Sequence, residues 1–325
     1  VNASEQILMS NLNSFSTTPA NIATIAYKGD GGNLSIQTEN LILKNGAELS
    51  TSTFGLGKGG NIFIKAADIE VSGIQIIGRR SLISSINTQS QSSGDAGDIT
   101  IETRRLKVLD NGYVSASTFT TGQGGQLSIN AADSILVKNK GALFVLANFG
   151  SSGNAGEMNI NTQTLTVENF GEISSETAGL GDAGNININV EQLIVQNGGE
   201  IRAASSFSNE SLFNSFTGRD KRGQGGKIKV NANNSITMTG FSSLSTQAQG
   251  TGNAGDVILN TNGQLTVDKG SQITANTFGL GNAGKININV GQLLIQEGGE
   301  ISSGSLLGFN PSNSERGNGG TITIN

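Results

Sequence analysis

GDAGNININVEQLIVQNGGEIRAAS at residues 181–205 and GNAGKININVGQLLIQEGGEISSGS at 281–305 are one pattern at two places. Each opens on Gly-x-(Gly/Ala)-Gly-x and follows it with apolar residues two apart. The opening recurs ten times, from Gly29, Gly57, Gly94, Gly122, Gly153, Gly181, Gly223, Gly252, Gly281 and Gly317. Successive anchors are 28, 37, 28, 31, 28, 42, 29, 29 and 36 residues apart, so the unit is 28 residues and the departures are insertions. A fixed period of this size marks a repeat architecture before any other feature is weighed.

Three alternating patterns follow each anchor. The first is Ile186/Ile188, the second Leu193/Val195, and the third begins at Ile201 and alternates with small residues. Alternation with period two is the signature of strands, not helices. One unit holds too few apolar side chains to bury a core alone, but stacked units pair strand on strand about 4.8 Å apart and line up inward Ile, Leu and Val as columns. The expected fold is all-β: a right-handed single-stranded parallel β-helix (β-solenoid) with three short strands per 28-residue coil. Residues 1–28 read as a partial N-terminal coil and 29–325 as one continuous β-helix of about ten coils, with insertions near 72–85, 206–222 and 306–316. Ten coils make a rod of roughly 50 Å. The paired glycines suggest corners that use positive φ. Only two prolines occur, Pro19 and Pro311, and both lie outside the strand patterns. The opening VNASEQILMS and an ending inside a repeat read as a fragment of a longer chain.

Composition excludes several chemistries. Among 325 residues there is no Cys, His or Trp, which removes thiolate and imidazole ligands, disulfides and His-dependent acid–base schemes. Net charge is −5 and only 14% of residues are charged, so nothing favours a nucleic-acid partner. No apolar run approaches the length of a membrane span. An absence of Cys suits export, where no thiol can mispair.

The G-(D/N)-A-G-(D/N/K)-I-x-I units, with L-x-V-x-N-G-G-E-I-x-(S/A) after them, resemble filamentous haemagglutinin-like exoproteins of the cyanobacterial type. The resemblance covers the chain from Gly29 onward. It implies a protein secreted by the two-partner route through an outer-membrane transporter, placed at the outer cell surface, and acting as an adhesin. The haemagglutination-type secretion domain of that family has no counterpart in the short segment before Gly29.

The acids invite an enzyme reading, since many β-helices degrade polysaccharides. Glu172 and Glu200 hold equivalent slots in adjacent coils, and stacking puts them roughly 5 Å apart, near the separation used by retaining glycosidases. Glu48 and Glu300 share the slot, but so do Tyr113, Ser243 and Gln272, as expected of an outward polar position. Lys and Arg form no evident constellation with these acids, so no catalytic set is assigned. Asp95, Asp98 and Asp182 in the anchors suggest calcium, but Lys58, Gln123 and Asn253 occupy the same corner, and calcium needs six to eight oxygens. No metal or cofactor is expected. Phe54, Phe119 and Phe278 share one slot, as a stacking column or as corner packing.

The insertions carry the individuality. Residues 72–85 include Arg79 and Arg80. Residues 206–222 combine Phe207, Phe213 and Phe216 with Arg219, Lys221 and Arg222, and 306–316 adds Phe309 and Arg316 from the same corner. Exposed aromatic and basic residues together suit a carbohydrate or another cell-surface ligand. The expected function is a cell-surface adhesin-like shaft. The alternatives are a polysaccharide-degrading β-helix enzyme and a purely structural surface-layer shaft.

Overall fold

A computed structural model describes residues 1–11, 18–148, 150–205, 221–306 and 316–325. Among them the chain winds into a parallel β-solenoid with no helix. Eleven strands form one parallel sheet, from Gln6–Ser10 through Leu34–Lys44 and Ile62–Ser72 to Thr321–Ile324. Ten form a second, from Asn21–Ala26 through Glu48–Thr53 to Glu300–Ser302, so nine turns separate its first and last strands. Residues 1–28 take part: Gln6–Ser10 pairs with Asn40–Lys44, and Asn21–Ala26 with Glu48–Thr53.

The expected first and second strands of each coil run on as one strand, Ile186–Gln196 in the unit quoted above. Its burial shows why the sequence reads as two. Ile186, Ile188 and Val190 point inward, the next two residues do not, and Leu193 and Val195 point inward again. The alternation changes phase at Glu191–Gln192 while the strand continues through it. Where a coil carries an extra residue, as between Ala131 and Ser134, a bulge absorbs it.

Inward columns form the core. Ile36, Ile64, Ile101, Ile129, Ile160, Ile188 and Val230 are all fully buried. Each such side chain is worth about 1.5–3 kcal/mol relative to exposure. The third pattern also points small polar residues inward. Their hydroxyls are satisfied by the anchor carbonyls: Thr88 donates to Gly97 O at 2.6 Å and Thr246 to Gly255 O at 2.6 Å.

The glycines of the anchors are there for a reason other than positive φ. Of the described anchor glycines only Gly29 has it. Most of the rest sit where the backbone of a neighbouring coil passes too close for a side chain: a Cβ on Gly184 stands 1.7 Å from Gly156 O, and one on Gly255 stands 2.0 Å from Gly226 O. Most positive φ values belong to another corner. There two consecutive residues are left-handed, as at Asn45–Gly46, Asp110–Asn111, Asn139–Lys140 and Asn197–Gly198. A backbone hydrogen bond closes each turn, for example Gly199 N to Gln196 O at 3.0 Å.

The 72–85 insertion is a small antiparallel hairpin, Ile74–Ile77 with Arg80–Ile83. Its two-residue loop places Gly78 at φ 58°, in keeping with the type II′ requirement for Gly at the first central position.

Candidate binding face

Each second-sheet strand is six to eight residues long in most coils, and its first, third and fifth residues point away from the core, although Ala142, Ser174 and Ala204 among them are buried. Parallel register then fixes which outward residues are neighbours. Tyr113, Ala142, Glu172 and Glu200 follow one another in one column, Ser115, Phe144, Ser174 and Arg202 in the next, and Ser117, Leu146, Glu176 and Ala204 in the third. Midway along the rod this brings aromatic, acidic and basic groups onto one face of the sheet, while the coils on either side carry mostly Ser, Thr, Asn and Gln.

Tyr113 and Phe144 lie 5.8 Å apart between ring centroids at a tilt of 33°. Burial raises the Tyr113 hydroxyl pKa; a hydrogen bond to Ser85 opposes the shift and the charge of Glu48 adds to it. Beside them Arg202 forms ion pairs with Glu176 and, at 3.4 Å, with Glu172. The Glu176 side chain keeps only 14% of its surface exposed. Burial pushes its carboxyl up to about 7; the Arg202 charge opposes this, and Glu172 and Glu200 add to it. Burial works against the Arg202 charge too, but Glu176, Glu172 and Glu200 more than offset it and hold the guanidinium pKa above its ordinary value.

Glu172 and Glu200 are register partners, as their spacing implies. The expectation that no basic residue accompanies these acids is corrected: Arg202 sits among them, because it lies on the same outward side as Glu200, two residues further along the strand. The member with the shifted pKa is Glu176, which the repeat pattern did not single out.

The insertion residues fare differently. Phe207, Phe213, Phe216, Arg219 and Phe309 lie outside the described residues. Lys221 and Arg316 are exposed. Arg222 is engaged within the fold, its Nη1 donating to Ala178 O at 2.7 Å and to Gly179 O at 3.4 Å. Of the shared Phe slot, Phe54 is 46% exposed and stacks on Tyr27 of the preceding coil, centroids 5.4 Å apart at 17°; Phe119 is 38% exposed.

The anchor carboxylates serve the backbone. Asp95 Oδ1 accepts from Gln123 N at 2.9 Å, Asp98 Oδ1 from Gln126 N at 2.8 Å, and Asp182 Oδ1 from Gln224 N at 2.7 Å. Asn154, Asn253 and Asn282 do the same in other coils, which explains why Asp, Asn and Gln interchange in the motif. No cluster of three or more Asp or Glu fit to hold a metal occurs among the described residues. Among them, too, no helix is long and apolar enough to cross a membrane.

No protein-family model matches the chain, and no curated protein or solved structure matches it.

Proposed function

We propose that this chain is part of the shaft of a secreted, cell-surface adhesin-like protein that attaches to cells, surfaces or glycans. The observation that carries the reading is the outward face of the second sheet, where Tyr113 and Phe144 stand beside Glu172, Glu176 and Arg202 in register. Aromatic rings present an apolar face to a sugar, and the guanidinium and carboxylates supply hydrogen bonds that fix its orientation. The solenoid suits display, since a long narrow body holds weak sites apart along one axis and lets several act together. The haemagglutinin-like repeat pattern supports export through an outer-membrane transporter and residence at the outer cell surface. Right-handed winding and a three-sided coil, with a bend in each long strand as its third corner, belong to the same reading.

A second reading is a polysaccharide-degrading enzyme, and Glu176 is what favours it. A carboxyl poised near neutral pH beside a second, ion-paired carboxylate is the arrangement of a general acid and its partner. A purely structural shaft is the third.

One experiment separates them. The intact protein, Arg202→Ala, Glu176→Gln and a variant lacking 206–222 are each incubated with a panel of neutral and acidic polysaccharides. Retention and newly released sugar ends are read from the same wells. Retention without products, weakened by Arg202→Ala, is the expected result. Products that vanish in Glu176→Gln establish the enzyme instead. No retention anywhere in the panel leaves the shaft.

A further inference from the structure

The left-handed corner carries an anomaly. Phe170 has φ 62° and Phe241 has φ 60°. That conformation costs a residue with a bulky side chain about 1–2 kcal/mol, and Gly or Asn normally occupies it. Both rings are also largely in water, Phe170 69% and Phe241 81% exposed. Neither the core nor the backbone of the corner needs a phenylalanine there.

Register shows a plan in their placement. Lys140 N donates to Asn169 O, Phe170 N to Asn197 O, Gly198 N to Gly240 O and Phe241 N to Lys269 O. Lys140, Phe170, Gly198, Phe241 and Gly270 therefore form one column, a residue per coil. Rings alternate with glycines. Each ring lies over the glycine that follows it: a Cβ on Gly198 stands 2.9 Å from Phe170 Cε1, and one on Gly270 stands 2.7 Å from Phe241 Cδ1. One side of each ring rests on glycine backbone and the rest faces solvent. The corner ladder holds both backbones in place, so the strain has no local route of relief.

We propose that Phe170 and Phe241 form a second glycan-binding edge, distinct from the second-sheet face, which takes an extended neutral β-linked polysaccharide running along the rod axis. Two coils separate the rings, about 10 Å. That is close to the repeat of a disaccharide in an extended β-1,4-linked chain, so every second sugar ring meets an aromatic face. Lys140 precedes the pair by one coil and Lys269 lies beside Phe241, where their ammonium groups serve sugar hydroxyls. The acids of the neighbourhood, Glu168, Glu172 and Glu297, weigh against a polyanionic chain. The proposal rests on the reading that this rod attaches to glycans, and adds a second site to it.

The test uses the whole chain in native gels cast with hydroxyethyl cellulose, a soluble β-1,4-glucan, and in parallel gels with a polyuronate. Phe170→Asn, Phe241→Asn and the double variant are compared with the parent, with Phe170→Trp/Phe241→Trp and with Arg202→Ala. Asn is at home in the left-handed region, so the Asn variants melt no lower than the parent, which a thermal scan checks. Expected is retardation of the parent by the glucan, weakened about two- to tenfold by each single change and nearly abolished by both. The Trp pair keeps it. Three results overturn the edge: no retardation of the parent by the glucan, retardation by the polyuronate alone, or a double Asn variant that migrates like the parent. In the last case a loss in Arg202→Ala leaves attachment through the second-sheet face standing.

Discussion

One column on the outward side of the first sheet changes chemistry along its length. It begins Gln37, Lys65, Glu102 and continues Asn130, Asn161, Asn189, Asn231, Asn260, Asn289, Asn325. In the early coils neighbours are opposite charges: Lys65 with Glu102 at 3.5 Å, and nearby Lys44 with Glu70 at 3.1 Å and Asp68 with Arg105 at 2.5 Å. The Arg105 hydrogen bond holds the Asp68 carboxyl below its usual range. In the later coils the asparagines bond to one another, each Nδ2 donating to the Oδ1 of the coil before: 2.8 Å for Asn161 to Asn130, 2.9 Å for Asn189 to Asn161, 2.8 Å for Asn231 to Asn189. The same holds from Asn260 to Asn325. A parallel stack brings identical residues together every 4.8 Å, and like charges at that distance repel. A charged column is therefore favoured where its signs alternate, and the Glu172–Glu200 pair on the other sheet departs from this. An amide is donor and acceptor at once, so asparagine stacks on itself without limit.

The comparison can be tested at several depths. The core should ignore it. Ile64→Ala in the charged region and Ile188→Ala in the asparagine region occupy the same inward column, and each should cost about 2–5 kcal/mol in chemical denaturation. A large difference between the two would mean that the outward ladders carry the rod.

Glu176, on the other sheet, is a charge with no alternating column to hold it. Its folded pKa of about 7 lies above the ordinary carboxyl value of 4.5, so the stability linked to its proton is complete below pH 4.5 and lost as pH rises toward and past 7. The loss is on the order of 3 kcal/mol. Glu176→Gln should flatten the fall in melting temperature between pH 4.5 and 7.5, and an unchanged slope would move its cause elsewhere.

Asn189→Asp breaks the amide ladder in its middle. The carboxylate loses the donor that Asn161 accepts and sets oxygen against oxygen, which should cost about 1–3 kcal/mol, against about 1 for Asn189→Ala. Equal effects of the two would show that the ladder contributes through packing alone. The smallest effect is expected of Arg105→Ala, because the pair is open to solvent. In 1 M salt it should nearly vanish, while the Asn189→Ala effect persists.

Much of this was legible in advance. The anchor spacing puts Glu172 opposite Glu200 without a structure, and the same arithmetic puts Phe144 opposite Ser115. What escaped was contact between columns. Arg202 reaches across to Glu176 only because both side chains are long and turn toward each other over Ser174, which no period records. Phe170 and Phe241 escaped for another reason: as residues they look like any loop phenylalanine, and their meaning lies in a φ near 60°.

Period and alternation establish the solenoid, its inward columns and the register of its coils, because parallel in-register stacking converts a distance of 28 residues in sequence into one rung in space. Geometry off that lattice needs the folded chain. The carbonyls that forbid a Cβ on Gly184 and the burial that lifts Glu176 to about 7 arise where backbone or side chains from different coils meet. Those meetings depend on distances of a few tenths of an ångström, and a repeat in sequence specifies neighbours without specifying how closely they approach.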